Sequence, residues 1–283
     1  MCKLSIITIN YNNATGLQKT MQSVLSQTAI DFEYIVVDGA STDGSYELIC
    51  QYAKMPMRMP FAWVSEKDNG IYHAMNKGIQ LAKGEYVQFV NSGDCLVDES
   101  VTKRMIEKLI EDDAIVYGNM IKKMPDKLLR DCSFAGKEIT FLDMFSGTLN
   151  HSPAYIRRDL FTKYGLYDET LKICSDWKWY LQAIILGEEK VRYVDIDIIV
   201  FDMTGISNTN IDLIKKERKE VLEDLIPLKI LQDYQQYATV IRMWNRINYV
   251  KVWRKLFWLI DRSLFRLEKI RLKKESKHDK VKK

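Results

Sequence analysis

A carboxylate at the end of a buried strand is the first chemistry legible in this chain. Tyr86-Val87-Gln88-Phe89-Val90 is a short, mostly apolar run, the pattern of a strand covered on both faces. It leads into Asn91-Ser92-Gly93-Asp94. Open α/β sheets bind ligands outside the carboxyl ends of their strands, so Asp94 is placed to meet one. The reading is a bound phosphate group faced by Asp94 through a divalent cation. Mg²⁺ and Mn²⁺ are hard ions that take carboxylate and phosphate oxygens together.

The elements that must position Asp94 can be read upstream of it. Ile71, Met75, Gly78 and Ala82 recur at helical spacing between Gly70 and Gly84, which predicts a helix over 70–82. Leu4–Ile9, Tyr34–Val37 and Phe61–Val64 read as strands. Leu17, Met21, Val24 and Leu25 form one helical face between the first two strands, and Tyr46, Ile49, Cys50 and Ala53 form another. Strand and helix in alternation imply right-handed crossovers and a parallel sheet with helices on both faces. The first strand is followed by no Gly-x-Gly-x-x-Gly, and no Gly-x-x-x-x-Gly-Lys loop occurs, which argues against an NAD enzyme or a P-loop ATPase.

Past Asp94 the rhythm changes. The pattern predicts a helix over 98–110, a strand at Ile115–Gly118 and a hairpin of Met120–Met124 with Lys127–Cys132 around Pro125-Asp126. A short helix over 140–146, a strand at His151–Ile156 and a helix at Asp176–Ile185 follow, then strands at Val191–Val194 and Ile198–Phe201. The expected division is a domain over 1–208, with halves 1–95 and 96–208, a helical extension over 209–270 and a disordered basic tail over 271–283.

The 283 residues carry a net charge of +4, which hides an asymmetry. Residues 241–283 hold fifteen Lys or Arg against four Asp or Glu, about +11, leaving the rest near −7. Ile247, Val250, Phe257, Ile260, Leu264 and Leu267 fall near one stripe there, accompanied by Trp244, Trp253 and Trp258. A basic amphipathic helix of this kind suits an anionic membrane surface. It equally suits a helix packed on the preceding domain, and a polyanion binder is a third reading, though no nucleic-acid motif accompanies the charge. No run of eighteen apolar residues occurs, so no transmembrane helix is expected. The start of the chain reads as a first strand and not as a signal peptide. Five scattered cysteines without a Cys-x-x-Cys pair point to reduced thiols in a cytoplasmic protein, peripheral on the inner face of the membrane if the tail binds lipid.

Leu-Ser-Ile-Ile-Thr-Ile-Asn-Tyr-Asn-Asn (4–13), Tyr-Ile-Val-Val-Asp-Gly-Ala-Ser-Thr-Asp-Gly-Ser (34–45), the stretch Ser65–Asp94 and Ser175-Asp176-Trp177 occur in that order. Together they resemble the inverting family 2 nucleotide-sugar glycosyltransferases of the GT-A fold, in the bacterial polysaccharide branch, over about residues 3–205. The resemblance implies a single α/β catalytic domain with a mostly parallel, Rossmann-like nucleotide-binding sheet. Its implied partners are a nucleotide-sugar donor, UDP-linked above GDP or dTDP, and a saccharide or lipid-linked acceptor; nucleic acid is not among them. It places Thr8, Asn10, Asp38, Asp68, Asn76 and Ser92 around the donor nucleotide, Asp94 on the metal and diphosphate, and Asp176 as the general base. His151 and Trp177 fall near the acceptor or diphosphate.

Simpler structural roles stand beside these. Asp38 or Asp43 could cap the following helix, and Asp43 lies closer to its start. Asp68 could cap the helix over 70–82, Asp176 suits a helix first turn, and Lys77 could be solvated or could steady a phosphate. The chain departs from the family pattern in two places: Gly93 thins the acid cluster, and His73 replaces an acid. Those departures motivate a rival reading, a catalytically silent scaffold on the same fold that binds sugar nucleotides.

Overall fold

The structure is a computed structural model that describes residues 2–110, 112–124, 126–203, 210–249, 255–256, 258–266 and 268–269. Its first half follows the sequence pattern closely. Strand β1 (Leu4–Asn10), helix α1 (Ala14–Leu25), β2 (Phe32–Asp38), α2 (Ser45–Ala53), β3 (Phe61–Ser65), α3 (Ile71–Leu81) and β4 (Tyr86–Phe89) succeed one another. Strands β1, β2 and β4 are buried at every residue, as continuous apolar runs require. They lie parallel in the order β3-β2-β1-β4. Register aligns Asn10 with Asp38 and Asp38 with Ser65, so three strand ends form one polar row. Helix α3 lies close on β1, since a Cβ added at Gly78 would stand 2.5 Å from Ile7 Cγ2.

The second half is a mixed sheet. It contains β5 (Cys95–Leu96), α4 (Val101–Ile106), β6 (Ile115–Lys123), β7 (Leu128–Asp131), α5 (Phe141–Ser146), β8 (Ala154–Arg157), α6 (Leu160–Lys163), α7 (Ser175–Tyr180) and β9 (Val191–Phe201). Strand β8 inserts antiparallel between β4 and β6, while β9 runs parallel to β6. Two antiparallel steps restore the direction of β4, so the carboxyl end of β9 reaches the same edge of the sheet as Asp94.

Several boundaries differ from the sequence pattern. The two strands expected within 115–124 are one, β6, because the register with β9 shifts around Gly118 and does not stop there. A Cβ at Gly118 would meet the Ile196 carbonyl oxygen at 2.5 Å, which explains the glycine. The late strands are likewise one, β9, interrupted in pattern only by Asp195 and Asp197, whose carboxylates pair with Arg130 at its edge. The hairpin forms as β6 with β7, closed by Met124 N–H on the Lys127 carbonyl at 2.9 Å; Pro125 lies outside the described residues. Residues 151–153 are a turn, with the strand starting at Ala154. The helix over 98–110 contracts to α4. The helix expected over Asp176–Ile185 begins as α7 and widens into a π-helical turn, Leu181–Leu186. Insertions of that kind are frequent at functional sites.

The chain divides into two compact bodies, Met1–Val221 and Leu222–Lys283. The helical extension is two helices, α8 (Ile211–Leu225) and α9 (Leu228–Tyr249), separated at Pro227, which has no N–H to continue a helix. Further helical residues follow within 255–269. Among the described residues no helix is long and apolar enough to cross a membrane. The expected disordered tail over 271–283 lies outside the described residues, as do Val250, Trp253, Phe257 and Leu267 of the apolar stripe. The five cysteines are free thiols.

Candidate active site

The row Asn10–Asp38–Ser65 is cross-bonded. Asn10 Nδ2 donates to Asp38 Oδ1 at 2.8 Å, and Ser41 Oγ to the same oxygen at 2.6 Å. Ser41 N–H and Ser65 Oγ donate to Asp38 Oδ2 at 3.0 and 2.6 Å. Four donors satisfy a fully buried carboxylate, which would otherwise be costly to desolvate. Asn10 Oδ1 remains buried without a hydrogen-bond partner, an acceptor still able to receive a donor. The loops beyond the row adopt left-handed backbone at Asn12 (φ 48°) and Ala40 (φ 57°), which non-glycine residues seldom take. Asn12 and Ser41 stitch these loops together: Thr42 N–H donates to Asn12 Oδ1, and Asn12 N–H to Ser41 Oγ. Asp43 serves the start of α2, accepting from Ser45 N–H and Ser45 Oγ.

A Cβ at Gly39 would lie 3.0 Å from the Tyr11 ring and 3.1 Å from Asp68 Oδ2, so Tyr11, Gly39 and Asp68 adjoin. The Tyr11 ring is 71% exposed. Asp68 does not cap α3, whose N-cap is Gly70. Instead Asp68 and Glu66 both hold Lys77 Nζ, at 2.7 and 2.8 Å. Lys77 is therefore neither solvated nor free for phosphate. Partial burial works against its charge, but the bonds to Asp68 and Glu66 prevail and raise its pKa. His73 Nδ1 accepts from Asn69 N–H at 3.1 Å and stands 3.6 Å from Asp68.

Asp94 is almost fully buried. Ser152 Oγ donates to its Oδ2, and Asp202 N–H, just past β9, donates to its Oδ1, both at 2.9 Å. Burial pushes the Asp94 carboxyl up to about 7, the two hydrogen bonds offset this in part, and the charge of Asp202 pushes the same way as burial. Gly93 takes φ 110°, and a Cβ there would meet Asp202 Oδ2 at 2.7 Å. The glycine that thins the acid cluster in sequence thus makes room for a second carboxylate in space. Among the described residues no group of three or more His, Cys, Asp and Glu could hold a metal. Asp94 and Asp202 nonetheless fit a hard divalent cation: each Asp94 oxygen keeps a lone pair after its one hydrogen bond, and two adjacent carboxylates favour a cation between them.

Asp176 lies in the first turn of α7. Tyr72 Oη, on α3, donates toward its Oδ1 at 2.9 Å. His151, next to Ser152, feels the charge of Asp176, though burial dominates and lowers its pKa. His151 Nε2 lies 2.8 Å from Tyr167 Oη, and its ring packs against Phe89 and Tyr180. The turn at 151–152 therefore joins the Asp94 and Asp176 regions.

Three candidate residues are placed in the core. Thr8 Oγ1 donates to the Val90 carbonyl at 2.7 Å and accepts from Tyr34 Oη, fully buried. Asn76 is spent on the segment before α7: Nδ2 donates to the Tyr167 carbonyl and Glu169 Oε1, and Oδ1 accepts from Tyr167 N–H. The Trp177 ring is buried and its N–H donates to the Met144 carbonyl. Ser92 is half-buried, its carbonyl accepting from Asn13 Nδ2. Sequence reasoning passed over Tyr11, Ser41, Ser65, Ser152 and Asp202. Only Ser41, three residues after Asp38 in a turn-rich run, carried a local signal.

A parallel half-sheet with acids at its strand ends, continued by a mixed half that carries an acid on a helix, is an architecture of the GT-A type. The sequence profile of Glycosyl transferase family 2 matches residues 5–164, more than half of the chain, and the chain belongs to that family. A PGL/p-HBAD biosynthesis glycosyltransferase of Mycobacterium bovis is 27% identical over 249 residues, 86% of this chain and 91% of the relative. A putative teichuronic acid biosynthesis glycosyltransferase, TuaG of Bacillus subtilis, is 34% identical over 102 residues, 36% of this chain and 40% of the relative. Among solved structures, S. aureus TarS 1–349 in complex with UDP-GlcNAc superposes with a TM-score of 0.64 at 20% identity, covering 78% of this chain and 64% of TarS. The mannosyltransferase PcManGT of Pyrobaculum calidifontis, with GDP-Man and Mn²⁺, gives a TM-score of 0.60 at 15% identity, covering 90% and 82%. This chain thus spans somewhat less than two thirds of the TarS chain. At these identities the structural likeness concerns the fold.

Proposed function

We propose that this chain is an inverting glycosyltransferase. It takes a sugar from a nucleotide diphosphate sugar, UDP-linked in the first instance, to a hydroxyl of a saccharide or lipid-linked saccharide in bacterial surface polysaccharide or glycolipid synthesis. The observation that carries the reading is the single edge of the sheet that gathers Asn10, Asp38, Asp68 and Asp94, with Asp176 tethered to α3 at the same end. The nucleoside would lie against Tyr11, Gly39 and Asp68, with the exposed tyrosine as a stacking face and Asn10 Oδ1 as a waiting acceptor. The acceptor O–H proton passes to Asp176 as its oxygen bonds to the anomeric carbon. The bond from that carbon to the diphosphate breaks in the same displacement, and the electron pair leaves with the diphosphate. Asp94 and Asp202 would hold Mg²⁺ or Mn²⁺, which supplies positive charge for the departing diphosphate. The names of the mycobacterial and Bacillus relatives and the UDP-GlcNAc bound by TarS support this donor and pathway class.

Calorimetric titration with UDP, GDP and dTDP, with and without Mn²⁺, tests the donor site. UDP is expected to bind, more tightly with Mn²⁺, and Asp94→Ala to weaken the Mn²⁺-dependent binding at least about tenfold, the loss of one charged ligand contact. Binding indifferent to both metal and mutation would remove Asp94 from the metal.

The helical residues 255–269 extend the proposal to the cytoplasmic leaflet. Trp258, Leu259, Leu264 and Phe265 are exposed, Arg262 stands 5.0 Å from the Trp258 ring centroid, and Lys269 stands 4.9 Å from that of Phe265. Aromatic rings with basic partners suit the headgroup level of an anionic bilayer. The full chain is expected to sediment with phosphatidylglycerol-containing vesicles and not with phosphatidylcholine alone, and to lose this when 255–283 is deleted. Equal sedimentation after the deletion would end the idea.

A further inference from the structure

Asp176 sits in a segment gripped from two sides. On one side is Tyr72, buried in the first turns of α3. Its hydroxyl has one proton and two acceptors in reach, the Ile173 carbonyl oxygen at 2.5 Å and Asp176 Oδ1 at 2.9 Å. Burial, with the Asp176 charge adding to it, holds the Tyr72 proton in place, so this phenol stays a donor at neutral pH. On the other side is Glu217 of α8, only 4% exposed. Its Oε1 accepts from Lys172 N–H at 2.7 Å, and its Oε2 accepts from Ile173 and Cys174 N–H at 3.0 and 2.9 Å. Three successive backbone donors on one buried carboxylate leave that backbone little freedom. Helix α8 adds two more contacts: Cys174 Sγ donates to the Ile214 carbonyl at 3.7 Å, and the Arg218 guanidinium lies 4.7 Å from the Trp177 ring centroid. Helix α8 lies beyond residues 5–164, the span matched by the family profile.

We propose that Tyr72 and Glu217 are positioning residues for the base: Tyr72 fixes the carboxylate rotamer of Asp176, and Glu217 fixes the backbone that carries it. The proposal rests on Asp176 being the base. A hydrogen bond on Oδ1 holds the carboxylate in one orientation and leaves Oδ2 for the acceptor hydroxyl. Once the proton has arrived, the charge that strengthened this bond is gone, and the Ile173 carbonyl is ready to receive the Tyr72 hydroxyl instead. Glu217 matters because displacement of a reacting group by about 1 Å can cost on the order of 10²-fold in rate.

The test uses the full chain with Tyr72→Phe, Glu217→Gln, Asp176→Asn and the doubles that combine each of the first two with the third. Phenylalanine keeps the ring that packs on Tyr167, so Tyr72→Phe remains informative if Glu217→Gln folds poorly. Two readouts are taken: UDP release from UDP-N-acetylglucosamine with Mn²⁺ and water as acceptor, and hydrogen exchange of the amides of residues 172–180. Each single variant is expected to release UDP about 10- to 100-fold more slowly with UDP affinity within about twofold. Neither is expected to slow the Asp176→Asn protein further, and amide exchange is expected to quicken over 172–180 and not in β1 to β4. Equal losses with and without Asp176 would mean the two residues merely support the fold, and the proposal fails. Unchanged exchange over 172–180 in both variants also overturns it, whatever the turnover. Full turnover by Asp176→Asn would instead remove the base reading, whereas an inactive Asp176→Asn beside fully active Tyr72→Phe and Glu217→Gln would sink only the positioning.

Discussion

Asp176→Asn is expected to lower turnover by about 10²–10⁴-fold, the usual worth of a general base, while UDP affinity stays within about twofold. The variant is nearly isosteric, and an amide oxygen can still accept from Tyr72 Oη, so position and fold are kept. What is lost is the ability to take a proton. A hydroxyl becomes nucleophilic only as its proton departs, and an amide does not accept one at neutral pH. Initial rates of transfer in wild type and variant, beside UDP titrations of both, check the result. Turnover by the wild type would dispose of the silent-scaffold reading. Retention of more than about a tenth of the rate by Asp176→Asn would move the base elsewhere. His151, whose imidazole burial keeps neutral, is then the alternative to test by His151→Gln.

The second large effect concerns Asp94 in the metal-free protein. Burial lifts its carboxyl from an ordinary value near 3.8 to about 7. Between those values the folded chain binds more protons than the unfolded chain, so stability falls as pH rises and levels off above the folded pKa. The full swing is on the order of 4 kcal/mol for a shift of this size. His151 acts in the opposite sense, because its lowered pKa makes the unfolded state the proton binder. Comparison with Asp94→Asn cancels that contribution and isolates Asp94. In EDTA, the melting temperature of the wild type relative to Asp94→Asn is expected to fall by several degrees from pH 5 to pH 8. Mn²⁺ at pH 8 is expected to raise the wild type and leave the variant unmoved. Parallel curves for the two proteins would mean that Asp94 ionises in the ordinary carboxylate range and that its burial is better compensated than the two hydrogen bonds suggest.

The acidic residues are instructive about what spacing can and cannot reveal. The positions of Asp38 and Asp94 were legible because one ends a buried parallel strand and the other is the first acid after another, and strand ends in an open α/β sheet share one edge by topology. Gly93 looked like a missing acid, yet Asp202, 108 residues from Asp94, stands where its side chain would be. No local pattern could announce that, since it depends on β8 inserting antiparallel and β9 returning parallel to β6. Asn76 and Trp177 show the reverse limit. A polar or aromatic residue inside a functional motif can be spent entirely on packing, and only its hydrogen-bond partners reveal that.

By itself the sequence determined the parallel half of the sheet and the family. Continuous apolar runs of strand length alternating with amphipathic helices admit few arrangements, and each element there is specified by its neighbours in the chain. Tertiary structure alone decided the pairing of Lys77 with Glu66 and Asp68, the approach of Asp202 to Asp94, and the grip of Tyr72 and Glu217 on the segment that carries Asp176. Each of these is a contact between residues whose separation in the chain carries no period to read, made where the cost of burying a charge or a polar group is met by a partner from elsewhere in the fold.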